Sequence, residues 1–194
     1  MVFGTILTGD QQVPADSGSS ASGTIALGFD ETGALTYDLT VVGLDFGAYI
    51  GEGVPQTEDT ADDVTGINFG NAPIGEVGDL AFGVVGVDGN GDDDLIFTAN
   101  PDGSTTISGI WEESDLANIP LSTFVPGLNS AAATTSETGS PQISDLYVSI
   151  GTVGNPEGEI RGQIASISPE ISESISAIDP VTLNGLINQG ATVI

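Results

Sequence analysis

Ala34-Leu35-Thr36-Tyr37-Asp38-Leu39-Thr40-Val41-Val42 changes character at almost every step. Leu35, Tyr37, Leu39 and Val41 fall on one face of an extended chain, while Thr36, Asp38 and Thr40 fall on the other. A period of two built from aromatic, β-branched and apolar residues predicts a half-buried β-strand; a helix would scatter the four apolar residues around its circumference. Just before it, Asp30-Glu31-Thr32-Gly33 reads as a hairpin loop, with Gly33 free to adopt the positive φ such loops need. Gly23–Phe29 is then the antiparallel partner strand.

Outward from this hairpin the same signals recur. Val2–Thr8, Val64–Phe69, Leu80–Val87, Leu95–Ala99, Thr105–Trp111, Leu146–Thr152 and Gly158–Ile167 are short apolar or alternating stretches bounded by Gly, Pro, Asp and Ser. Their spacing predicts an all-β fold, an antiparallel Greek-key-like β-sandwich or barrel. Two segments depart from it. Ser114-Asp115 ahead of Leu116-Ala117-Asn118-Ile119-Pro120 predicts a short helical turn near 114–119, capped by a polar side chain and stopped by proline. After Ile167 the period lengthens: Ile171, Ile175 and Ile178 follow at helical spacing, with Ser168 as N-cap and Pro169 at the first helical position. The chain therefore divides into a β domain over 1–167 and an amphipathic tail over 168–194, expected to pack on the domain or on a neighbouring subunit. Gly51–Asp63 and Asn129–Ser140 read as loops.

The 194 residues include no Cys, no His and a single basic side chain, Arg161, against 28 carboxylates; one minus twenty-eight gives a formal charge of −27. One cation cannot neutralise a row of phosphates, so nucleic-acid binding through the backbone is excluded. Insertion into a membrane is not expected either, because no apolar run reaches the roughly 18 residues that a spanning helix needs. Without Cys or His there is no thiol nucleophile, no Ser-His-Asp triad and no ordinary catalytic zinc site.

Three stretches carry a more specific signal. The first is Leu7-Thr8-Gly9-Asp10-Gln11-Gln12-Val13-Pro14 followed by Gly33-Ala34-Leu35-Thr36-Tyr37-Asp38-Leu39. The second is Ile67-Asn68-Phe69-Gly70-Asn71-Ala72-Pro73. The third is Leu146-Tyr147-Val148-Ser149-Ile150-Gly151-Thr152, continuing to Gly158-Glu159-Ile160-Arg161-Gly162-Gln163-Ile164. In order and spacing they resemble the CHRD domain, a family abundant in secreted bacterial proteins, from near residue 5 to near residue 166. The resemblance implies a secreted, extracellular or cell-surface location. It also exposes a departure: the family pattern carries three histidines, and the matching positions here are Asn68, Gly70 and Gly151. Glycine supplies no ligand atom, so no transition metal is expected there.

The densest set of hard oxygen ligands is Asp88-Gly89-Asn90-Gly91-Asp92-Asp93-Asp94. Asp88, Asn90 and Asp92 alternate as the first ligands of a Ca²⁺ loop do, with glycines letting the chain curl and Asp93 or Asp94 available to complete the shell. The competing reading is a solvated acidic turn. A weaker second candidate is formed by Glu58, Asp59, Asp62 and Asp63. Glu112-Glu113 does not qualify as a glycosidase pair, because adjacent strand residues point to opposite faces. Trp111 beside them is expected in the core. Arg161 is expected to play a structural part, its fork paired with a carboxylate near the sheet surface.

These readings converge on a non-enzymatic structural or adhesive protein of the extracellular matrix or cell surface, stabilised by Ca²⁺. Edge strands and the tail would let it form homo-oligomers or filaments. The alternative is a monomeric binding or signalling module that captures a protein or glycan partner.

Overall fold

The computed structural model describes residues 2–51, 55–86, 91–124 and 143–167. The tail over 168–194, the loop Asn129–Ser140, and the candidate ligands Asp88 and Asn90 lie outside the described residues.

Ten strands form one antiparallel sheet: β1 (Val2–Thr8), β2 (Ser22–Phe29), β3 (Leu35–Val42), β4 (Val64–Asn71), β5 (Asp79–Gly86), β6 (Ile96–Ala99), β7 (Thr105–Trp111), β8 (Leu146–Thr152), β9 (Ile160–Gln163) and β10 (Ala165–Ile167). Their spatial order is β5-β4-β8-β9-β1-β2-β3-β7-β6, with β10 also paired to β1. β1, β2 and β3 meander, and long crossovers carry the chain from β3 to β4 and from β7 to β8. The alternation read in the sequence is the pleat of β3, whose burial alternates along its length. Its hairpin to β2 turns at Gly33, φ 89°. The Asp30 carboxylate ties that turn by accepting the Thr32 N–H at 2.8 Å and the Thr32 hydroxyl at 2.6 Å.

The sheet curls into a half-barrel, bringing β3 and β7 opposite β4 and β5. Trp111 at the end of β7 stacks on Phe82 of β5, ring centroids 4.8 Å apart. It also meets Phe69 of β4 at 5.6 Å and Phe124 edge-on at 5.9 Å. Tyr37 of β3 packs edge-on against Phe69 at 5.7 Å. Trp111 is fully buried, as its expected core role requires.

The chain after β7 differs from expectation. Residues 114–119 form no helical turn. The Asp115 carboxylate accepts the Glu112 N–H at 2.8 Å, closing a tight turn, and the Asn118 and Ile119 N–H groups both donate to the Ala81 carbonyl of β5. Donors spent on the edge of β5 cannot close a helix on themselves. A 3-10 turn follows instead at Leu121–Thr123, after the proline rather than before it.

These contacts make the two sheet edges unequal. β5 is covered by Asn118 and Ile119, and its Val84 carbonyl accepts the Asp92 N–H at 3.3 Å. Among the described residues, no backbone bond covers the outer edge of β6.

Candidate functional site

Asp92 closes the half-barrel. Only 7% exposed, it reaches from the loop after β5 beneath β7. Its backbone donates to β5 at Val84, and its carboxylate accepts the Tyr37 hydroxyl of β3 at 2.6 Å, the Asp94 N–H at 2.8 Å and the Ile110 N–H of β7. One residue, through its backbone N–H and its carboxylate, thus links strands from both ends of the sheet. Gly109 makes this possible, because a Cβ there would strike both the Asp92 carboxylate and the Tyr37 hydroxyl. Burial raises the Asp92 carboxyl above its ordinary value, even though the Tyr37 hydroxyl pulls the other way. The Tyr37 hydroxyl is raised strongly by burial and by its Asp92 partner.

Around this buckle the carboxylates crowd. Asp92, Asp93 and Asp94 each place an oxygen within 4.8 Å of the others, and so do Asp93, Glu112 and Asp115. Asp115 is raised by burial and by the negative charges of Asp93 and Asp94. Two oxygens on opposite sides of one Ca²⁺ lie about 4.6–5.2 Å apart, so this spread suits a single divalent ion. Of the residues expected to bind Ca²⁺, the fold brings Asp92, Asp93 and Asp94 together, with Asp92 the least available because its oxygens already accept protein donors. Glu112 and Asp115 join from some twenty residues downstream, beyond any local spacing rule.

The second candidate is rearranged. Asp62 and Asp63 group with Asp45, which the sequence reading missed. Asp45 is buried, and its carboxylate accepts the Gly47, Gln56 and Thr57 N–H groups at 2.6, 2.7 and 2.7 Å, stapling the β3–β4 crossover. Asp59 accepts the Ala61 N–H at 2.9 Å, and Glu58 belongs to no such group among the described residues. The Asp63 carboxyl is raised, first by desolvation and then by Asp45, Asp62 and Asp59.

Asn68 and Gly70 lie on β4 and Gly151 on the adjacent β8, but in register Asn68 pairs with Ser149, Gly70 with Tyr147, and Gly151 with Gly66, four residues along β4 from Gly70. The space a side chain at Gly70 would use is filled by the Tyr147 ring. One amide and two glycines do not fit a transition metal.

Arg161 is 3% exposed and central in the sheet, opposite Ser149 on β8 and Thr8 on β1. Among the described residues its partner is not the carboxylate expected. Its guanidinium lies 3.7 Å from the centre of the Tyr147 ring and donates to the Gln163 side chain at 3.2 Å. Burial lowers its pKa. Gln163 in turn donates to the Ala72, Ser144 and Leu146 carbonyls, which fixes the acceptor that Arg161 uses.

A curled antiparallel half-barrel, studded with carboxylates and held by a buried acidic buckle, defines an all-β domain. The family model of the CHRD domain matches residues 3–164, and the chain belongs to that family. No curated protein matches it. None of the helices in the described residues is long and apolar enough to cross a membrane.

Proposed function

We propose that this chain is a non-enzymatic structural or adhesive domain of the extracellular matrix or cell surface, stabilised by Ca²⁺ and associating with further copies of itself. The observation that carries this reading is the convergence of Asp93, Glu112 and Asp115 at the seam where the half-barrel closes. A cation there neutralises charges that otherwise repel and ties the loop after β5 to the turn after β7. The outer edge of β6, uncovered among the described residues, offers the surface for association. Ile96–Ala99 carries no charge, but Asp94 precedes it and Asp102 follows it. Two such edges repel each other unless cations screen them, which makes association depend on Ca²⁺ as well.

Sedimentation velocity and thermal unfolding, each in millimolar Ca²⁺ and in chelator at matched ionic strength, test both parts. The expected result is a higher Tm and larger, reversible species in Ca²⁺. The same Tm in both buffers removes the ion from the account, and a monomer throughout removes self-association.

A further inference from the structure

The outer face of the sheet carries an open groove of about 600 Å³ that crosses β1, β2, β3, β7 and β6. Four inter-strand steps make it about 19 Å long, the span of about six extended residues. Its floor is shallow at Ala26 and Gly28, where β2 has little or no side chain. Its walls are apolar at Val2, Ile96 and Ile110, and Ile96 is 61% exposed. Asp38 and Asp94, both exposed, add two carboxylates to the same lining.

Among the described residues no basic side chain reaches those carboxylates. The one basic side chain, Arg161, is buried against Tyr147 in the middle of the sheet. Residues 168–194 carry Glu170, Glu173 and Asp179 and no basic residue. A second copy brings a further charge of −27. Neither the tail nor a second copy therefore complements the groove. Lysine and arginine do, because their stems lie along apolar walls while their heads reach a carboxylate. We propose that the groove binds an extended, basic segment of a partner protein, with a Lys or Arg side chain running past Ile96 and Ile110 to Asp38 and Asp94.

The test is titration of the full chain with a capped peptide, Gly-Val-Lys-Val-Arg-Gly, and with its counterpart having Gln at both basic positions. Chelator and physiological salt keep divalent ions and long-range attraction out of the result. Saturable shifts of amide resonances are expected around Gly28, Thr36, Ile96 and Ser108, with the Lys/Arg peptide alone. D38N should weaken binding about threefold and D38N/D94N about tenfold, as exposed ion pairs of ordinary strength would. D38N lies outside the carboxylate cluster at the seam, so its effect is independent of any ion there. E31Q/E76Q removes the same charge elsewhere and should leave affinity within about twofold. An equal loss in that control, or shifts spread over the whole surface, overturns the proposal as unspecific attraction to a polyanion. So does dimerisation of D38N/D94N at the groove, which would make a second copy the occupant.

Discussion

Gly109 lies against the Asp92 carboxylate and the Tyr37 hydroxyl, and a methyl group there would take space both oxygens use. Gly109→Ala is expected to destabilise the fold by about 2–3 kcal/mol, through overpacking at a site that cannot relax without breaking a buried hydrogen bond. Tyr37→Phe removes only the hydroxyl and leaves the Asp92 carboxylate with backbone donors, so it should cost about 1–2 kcal/mol. Urea unfolding of the two variants checks the order. Equal, small effects would mean that Asp92 is not the buckle. This residue is also where the sequence was least readable. An aspartate in an acidic loop reads as a solvent-facing ligand, and nothing local shows that a glycine seventeen positions later leaves room for it below the sheet. The seam carboxylates Glu112 and Asp115 were hidden for a related reason: a carboxylate cluster assembled across strands has no fixed spacing along the chain.

Strands β8 and β9 carry Tyr147 and Arg161, and their pairing decides what the lone cation is worth. Breaking a buried ion pair costs about 3–5 kcal/mol because an unpaired charge is left behind. Here the partners are a ring and an amide. Arg161→Met, which keeps the stem and drops the charge, should therefore cost only about 1–2 kcal/mol, mostly for the Gln163 oxygen left without its donor. A larger loss in chemical unfolding would point to a carboxylate partner instead. At this scale the sequence was most informative. Val2–Thr8, Thr105–Trp111 and Leu146–Thr152 form strands over the expected residues. Alternation and bounding glycines are local signals, and a strand buried on one face obeys them. The turn near 114–119 failed because its donors are claimed by Ala81 of β5, a contact thirty-odd residues away.

Over the whole molecule, ionisation pulls stability in two directions. Asp92 and Asp115 have raised values in the folded state, so their contribution is complete below about pH 4 and is lost as pH rises through those values. Glu159 behaves oppositely. Burial works to raise it, but hydrogen bonds from Ser19, Asn155 and Thr152 outweigh that and hold it low. Its contribution is present above the ordinary glutamate range and lost as pH falls through its folded value. In chelator, Asp115→Asn should gain stability relative to the parent between about pH 4 and pH 7, and Glu159→Gln should lose most near pH 7. Urea midpoints across that range, urea being uncharged, read both slopes. A flat difference for Asp115→Asn would mean its charge carries no penalty at the seam. Added Ca²⁺ should shrink the Asp115→Asn gain, because a bound ion relieves the same repulsion.

The burial of Arg161 also has a consequence for degradation. Trypsin cuts after lysine or arginine, and this chain offers it one side chain, with the scissile bond to Gly162 held inside β9 between β8 and β1. Fraying at a terminus or a loose surface loop does not expose that bond; the sheet itself has to open. Cleavage into two fragments, 1–161 and 162–194, therefore times sheet opening directly, and at a fixed protease concentration the native chain should outlast proteins whose basic residues lie in loops.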